Sequence, residues 1–242
     1  TVSGLTAGTF TAAGVETVNV TTETLKSTLA ALTVADATTL NITGDKQLTI
    51  TGNLGGNTAL KTIDASGATG GVVLLDNSST VSFTGGAGDD TYKTSTAVAA
   101  TYAVDGGAGT DTLSVTAATV LDTALETARY TNFETLQINS ALAVTGASSQ
   151  DLDLLSAGIT KVVIDSQDTT DSGADSTLTH ALTNAASGLQ VQVQNLSTGE
   201  TGTNAHDTLV AVSVAMKAAT DTTSDSVDLI LGTATADNGS DS

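Results

Sequence analysis

The chain has 242 residues, of which 26 are Asp or Glu and only 7 are Lys or Arg, so its formal net charge is −19. With 39% hydrophobic and 14% charged residues it lacks the composition of a disordered chain, and the scarcity of Lys and Arg argues against nucleic acid or an anionic membrane surface as a partner. No apolar run approaches the roughly 18 residues that a membrane span requires.

Short strand-like segments recur along the chain, separated by turns rich in Gly, Asn, Asp, Ser and Thr. In most of them Val, Ile or Leu alternates with a polar residue, often Thr, which predicts half-buried β-strands. They occupy residues 15–20, 39–43, 47–51, 60–64, 72–75, 81–83, 133–138, 161–164 and 189–193. Strands this short predict an all-β solenoid, either a parallel β-helix or a β-roll, in which each rung packs on its neighbours.

An immunoglobulin-like sandwich is the alternative fold, but more aromatic residues and some Pro would then be expected. The narrow interior of a solenoid favours Val, Ile, Leu and Ala, so we expect aromatic side chains to be rare there. Few short helices are expected. Leu25, Leu29 and Leu32 have helical spacing within residues 23–32, Leu121 and Leu125 do so beside residues 124–129, and residues 207–219 fit a strand or a helix.

Two nonapeptides carry the chemistry that the sequence suggests. Residues 85–93 (GGAGDDTYK) and 106–114 (GGAGTDTLS) both match the calcium-binding repeat G-G-x-G-x-D-x-U-x. Calcium takes six to eight oxygen ligands, and glycines allow a short loop to turn its carbonyl groups inward. The sixth-position carboxylates supply the charge, and the apolar eighth residues, Tyr92 and Leu113, anchor each following strand in the core. The predicted metal site comprises Gly85, Gly86, Gly88, Asp89, Asp90, Gly106, Gly107, Gly109 and Asp111.

The spacing of the two nonapeptides is irregular. Nine residues form half a coil, so loops on the same edge of a regular β-roll begin about 18 residues apart, whereas these begin at residues 85 and 106. Either a loop bulges within residues 94–105, or the two motifs do not stack directly. We divide the chain into β-helical rungs (1–79), a calcium-binding β-roll (80–116) and further solenoid or sandwich-like rungs (117–242), with one continuous domain as the alternative.

With these nonapeptides the chain resembles secreted RTX proteins, and among them the calcium-dependent surface-layer proteins of Gram-negative bacteria. Residues 35–45, with 48–51 following, are similar to the rung series of Caulobacter-type surface-layer proteins, as is the order of glycine loops followed by residues 132–136 (NFETL). Residues 14–20 carry a related rung. The likeness covers most of residues 14–165 and is looser beyond them.

The resemblance implies a structural protein that is exported by type I secretion, folds with Ca²⁺ outside the cell and assembles with copies of itself into a lattice on the bacterial surface. It also implies attachment to lipopolysaccharide through a domain outside this sequence, which we interpret as a fragment of a longer chain.

An enzyme is a weaker hypothesis. His180 and His206 do not belong to an H-E-x-x-H motif, and a G-x-S-x-G motif is absent, so no catalytic residue is predicted. A non-catalytic repeat region of a secreted hydrolase remains a less favoured interpretation. The stronger alternative is a calcium-dependent RTX adhesin, which shares the composition, the repeats and the export route. Adhesins usually carry long tandem repeats of near-identical domains, and no such period is present here.

Overall fold

The computed structural model describes residues 1–115, 128–139, 147–154, 158–165, 177–194, 209–217 and 225–231. Nearly all regular structure in these ranges is β-strand, and every strand pairing is parallel. The strands are β1 (Gly8–Thr11), β2 (Thr17–Thr22), β3 (Ser27–Thr33), β4 (Thr39–Gly44), β5 (Leu48–Asn53), β6 (Thr62–Ala68), β7 (Val72–Leu75), β8 (Ser82–Thr84), β9 (Thr91–Thr94), β10 (Val104–Asp105), β11 (Thr112–Val115), β12 (Tyr130–Thr131), β13 (Thr135–Ile138), β14 (Ala147–Asp151), β15 (Lys161–Asp165), β16 (Thr177–Ala185), β17 (Leu189–Gln194), β18 (Leu209–Met216) and β19 (Val227–Leu231).

The strands alternate between two sides of a solenoid. All odd-numbered strands form one ten-stranded sheet in chain order. The even-numbered strands from β2 to β12 form a six-stranded sheet, and β14, β16 and β18 form a three-stranded one. Each rung therefore consists of one strand from each side and the two turns that join them. The predicted parallel β-solenoid is confirmed. The ten-stranded sheet continues from β7 to β9 and from β11 to β13, across the predicted boundaries at residues 80 and 116, without a change of strand order.

Side-chain alternation explains why these segments form strands. In β2, Val18 and Val20 point into the core while Thr17 and Asn19 are exposed, and β4 repeats the pattern with Leu40 and Ile42 buried. Parallel pairing brings like residues together, since Val18 is paired with Leu40 and Val20 with Ile42. The buried side chains thus form continuous apolar stacks along the solenoid axis. Burial of these stacks is the main source of the solenoid's stability.

Aromatic side chains are more prominent in the core than we expected from the sequence. Phe83, Tyr92, Tyr130 and Phe133 are all fully buried, and the Phe83 and Tyr92 ring centroids lie 5.3 Å apart. A long loop joins β9 to β10. Val98 of that loop is itself buried and donates its backbone N–H to the Tyr130 hydroxyl oxygen, so the loop packs against one of these rings.

The helix expected within residues 23–32 is wrong, because most of this segment belongs to β3. Leu29 and Leu32 are both buried although three residues apart, and Leu25 is 58% exposed. The pairing with β1 matches Leu29 to Gly8 and Ala31 to Thr9, which leaves one residue unpaired between them. Such a bulge turns both leucines inward and imitates helical spacing in the sequence.

The other two helix signals have separate outcomes. Residues 209–216 form strand β18, whereas Leu121 and Leu125 lie outside the described residues. The helical elements in the described part of the chain are two single 3₁₀ turns, Leu54–Gly56 and Leu152–Leu154. Within the described ranges there is thus no helix with the length and apolar character of a membrane span.

Candidate calcium site

The two nonapeptide loops stack directly on one edge of the solenoid. The first loop (85–90) joins β8 to β9, and the second (106–111) joins β10 to β11. Thr84 is paired with Asp105 before the loops, and Thr91 with Thr112 after them. The additional residues implied by the spacing lie in the loop between β9 and β10, at the opposite edge. Of the two alternatives left open by the sequence, the bulge within residues 94–105 is therefore correct, and the two motifs stack directly. Tyr92 and Leu113 are buried, as predicted for the anchoring eighth positions.

Glycine is required where the two loops approach each other. A Cβ atom on Gly85 would collide with the carbonyl oxygen of Gly106 and would lie 2.5 Å from Oδ2 of Asp90. The two loops nevertheless differ in backbone conformation. Gly107 and Gly109 have φ angles of +95° and +140°, whereas the equivalent Gly86 and Gly88 lie outside this left-handed range.

The carboxylate of Asp90 is buried and accepts two backbone hydrogen bonds. The N–H of Val72, one rung earlier, donates to Oδ1 at 2.6 Å, and the N–H of Gly86, within the same loop, donates to Oδ2 at 2.7 Å. Asp90 is 1% exposed. Both of its oxygens therefore have a partner that offsets part of the loss of hydration.

The carboxylate of Asp111 is also buried, but only one of its oxygens is paired. The N–H of Asp90 donates to Oδ1 at 2.7 Å, while Oδ2 has no hydrogen-bond partner among the described residues. Gly107, the equivalent of Gly86, donates its N–H instead to Oδ1 of Asp105 at 3.0 Å. Asp111 is 0% exposed, so its Oδ2 is a buried acceptor that has no donor in the described part of the chain.

Glu134 continues the same ladder one rung further, although it belongs to neither nonapeptide. Its Oε2 accepts the N–H of Asp111 at 2.7 Å, and the following Thr135 is paired with Thr112. The motif did not identify this residue. A second pattern contains it: an acidic residue, Thr and a large apolar residue occur at 90–92, 111–113 and 134–136.

Asp89 is set apart from this ladder. Its side chain is exposed, and Oδ1 accepts the N–H of Thr110 in the next loop at 2.9 Å. The structure thus aligns Asp90, Asp111 and Glu134 along the solenoid axis and leaves Asp89 on the outer surface of the loops. The remaining predicted site residues, Gly85, Gly86, Gly88, Gly106, Gly107 and Gly109, form the backbone of the two loops around these carboxylates.

The electrostatics of the ladder disfavour two buried negative charges. The pKa of Asp111 is raised to about 7, chiefly by burial and also by the neighbouring charges of Asp90, Glu134 and Asp89, against the lowering effect of the Asp90 N–H. Burial also raises the pKa of Asp90, although the N–H groups of Gly86 and Val72 oppose the change. A divalent cation would favour the ionised carboxylates by supplying the missing positive charge.

The available ligands fit a calcium ion. Among the residues described, no three His, Cys, Asp or Glu side chains form a group that could hold a metal by itself, so backbone carbonyl groups would have to complete any coordination shell. Glycine-rich loops provide such carbonyls close to Asp90 and Asp111, and Ca²⁺ accepts mixed carboxylate and carbonyl oxygens in flexible geometry. The unpaired Oδ2 of Asp111 is the oxygen that most needs such a partner.

Comparison of the chain with protein-family models, with curated proteins and with solved structures finds no match.

Proposed function

We propose that this chain is a calcium-binding structural segment of a self-assembling bacterial surface layer. The observation that carries the calcium proposal is the buried Oδ2 of Asp111, which has no donor among the described residues and lies in the second glycine-rich loop. An unpaired buried carboxylate oxygen is costly in the absence of a cation. In this proposal Ca²⁺ removes that cost and rigidifies the stacked loops.

The outer face of the six-stranded sheet supports a role in contacts between copies. Like residues are paired on this face, with Thr17 next to Thr39 and Thr39 next to Thr62. Asn41 donates to Asn19 across the same two rungs with a distance of 2.8 Å. Such ranks form a regular polar surface that is suited to repeated contacts with neighbouring subunits rather than to binding one small molecule.

The net charge of −19 gives calcium a second role in assembly. Like-charged subunits repel each other, and the effect is strongest where carboxylates are concentrated. Low free calcium inside the cell would leave the loops less ordered and the chain exportable, and millimolar calcium outside would order them. The proposed location is therefore the extracellular bacterial surface, with export by type I secretion and a structural rather than catalytic role.

Electron microscopy of the purified protein, with and without Ca²⁺, tests the assembly proposal. We expect ordered two-dimensional sheets in millimolar Ca²⁺ and dispersed particles in EGTA. Mg²⁺ is the matched control because it prefers a tighter octahedral shell and should not substitute efficiently. Particles that bind Ca²⁺ but remain dispersed would instead favour the adhesin alternative.

A further inference from the structure

The two nonapeptides have the same motif, but the carboxylates at their sixth positions, Asp90 and Asp111, have different hydrogen-bond partners. In the first loop the N–H of Gly86 donates to Oδ2 of Asp90. In the second loop the equivalent N–H, from Gly107, donates to Asp105, whose Oδ1 also accepts the side-chain amide of Asn132 at 2.7 Å. Asp105 thus holds the second loop in a conformation that leaves Oδ2 of Asp111 without a donor within the described structure.

The unpaired oxygen of Asp111 faces the next rung. A Cβ atom on Gly106 would lie 3.0 Å from Oδ2 of Asp111 and would collide with the carbonyl oxygen of Asn132. These two oxygens, one from each of two adjacent rungs, therefore lie on the same side of Gly106. The carbonyl group of Asn132 thus approaches Gly106 as the carbonyl group of Gly106 approaches Gly85 one rung earlier. Asn132 has a left-handed φ angle of +56°.

Glu134 adds a second carboxylate from that next rung. Its Oε2 accepts the N–H of Asp111, and its charge is one of those that act on the Asp111 carboxylate. Adjacent strands lie about 4.8 Å apart, so equivalent carboxylates on neighbouring rungs are close enough to share one cation. Glu134 is only half-buried, so its carboxylate is partly in contact with solvent.

We infer that the calcium ion binds between the second nonapeptide loop and residues 132–134, with Asp111, Glu134 and the carbonyl group of Asn132 as ligands, and that Asp90 is a structural bridge rather than a ligand. This inference rests on the proposed calcium binding. It differs from the prediction of the motif, which gives Asp90 and Asp111 equal roles and omits Glu134. The difference follows from hydrogen bonding, because each oxygen of Asp90 accepts an N–H, whereas Oδ2 of Asp111 accepts none from the described residues.

Calorimetric titration of the calcium-free protein with CaCl₂ tests this assignment. Glu134→Gln and Asp111→Asn should each weaken calcium binding by about tenfold or more, since charge count sets the affinity of such sites. Asp90→Asn should leave the affinity within about twofold of wild type. Glu16→Gln is the matched control, because Glu16 is exposed and lies in an early rung remote from the loops.

Terbium luminescence gives a second readout at the same site, and far-UV circular dichroism checks that each variant is folded. Glu134→Asp, which keeps the charge on a shorter side chain, should bind more tightly than Glu134→Gln. Equal losses in Asp90→Asn and Asp111→Asn, or unchanged binding in Glu134→Gln, would overturn the assignment while leaving calcium binding intact. A wild-type protein that does not bind Ca²⁺ at all would overturn the proposed function as well.

Discussion

The backbone N–H of Asp90 donates a hydrogen bond of 2.7 Å to Oδ1 of Asp111, the residue at the same position one rung further along the solenoid. The same relationship joins Val72 to Asp90 and Asp111 to Glu134. Three carboxylates therefore each cap the backbone of the preceding rung, and the candidate site is built into the ladder that connects the rungs. The proposed ion binding would therefore use Asp111 and Glu134, side chains that also stabilise the ladder.

Removal of the Asp90 carboxylate should destabilise the solenoid. In Asp90→Ala the N–H groups of Val72 and Gly86 lose their acceptor in a buried environment. An unsatisfied buried group costs about 1–3 kcal/mol, so the free energy of unfolding should fall by about 2 kcal/mol or more. Urea denaturation in calcium-free buffer measures the change.

Asp89→Ala is the control for this experiment, because Asp89 is adjacent in sequence but exposed and accepts one N–H from Thr110. Its cost should remain below about 1 kcal/mol. If the two variants had the same stability, the buried ladder would not contribute as described.

The strand pattern was readable from the sequence because alternation has a direct physical cause. Val18 and Val20 in β2, and Leu40 and Ile42 in β4, point inward at every second position, and this period predicted the solenoid. The helix expected around Leu29 and Leu32 was wrong because a bulge between strands has no separate sequence signature. Local spacing alone cannot distinguish a helical turn from an interrupted strand.

The site was predictable only in part for a similar reason. The glycines and the two aspartates of the nonapeptides follow a known pattern, whereas Glu134 joins them through the pairing of β11 with β13 across 23 residues. The unequal partners of Asp90 and Asp111 depend on Asp105 and Asn132, which lie outside the fixed positions of the motif. Such long-range contacts are set by tertiary packing.

Substitution of Gly85 tests the close stacking of the loops. In Gly85→Ala the new methyl group would collide with the carbonyl oxygen of Gly106 and crowd Asp90. We expect a loss of about 1–3 kcal/mol in the free energy of unfolding, as for other overpacked positions. Gly56→Ala is the matched control, since a Cβ there meets no atom within 4 Å, and it should change stability by less than about 1 kcal/mol. Thermal or urea denaturation that ranked the two variants in the opposite order would contradict the loop packing.

The buried Asp76 predicts a pH dependence that is separate from the candidate site. Asp76 is 0% exposed and accepts hydrogen bonds from the Tyr92 hydroxyl at 3.2 Å and from the Ser78 N–H at 2.9 Å. Burial raises the pKa of Asp76 above its usual value of 3.8, and the two hydrogen bonds only partly oppose this. The folded protein therefore holds a proton on Asp76 more tightly than the unfolded chain does.

The sign of this dependence follows from proton linkage. The contribution of Asp76 to stability is fully present below its unfolded pKa and is lost as pH rises through its folded pKa. The unfolding free energy of wild type should thus fall more steeply above about pH 4 than that of Asp76→Asn. Asp90 and Asp111 titrate in both proteins, so the difference between the two curves isolates Asp76. Parallel curves from denaturation at a series of pH values would show that Asp76 is not buried as described.

Thermal unfolding in Ca²⁺ and in EGTA tests the calcium account most directly. An ion that binds only the folded state stabilises it by about 2.7 kcal/mol when its free concentration is a hundredfold above Kd. That amount is a large share of the 5–15 kcal/mol typical of a domain. We expect the melting temperature of wild type to rise by several degrees in millimolar Ca²⁺ and much less in Mg²⁺. The melting temperature of Asp111→Asn, whose affinity should be at least about tenfold lower, should rise in Ca²⁺ by no more than about half as much. Melting curves of wild type that coincide in Ca²⁺ and in EGTA would contradict the claim that calcium stabilises this solenoid.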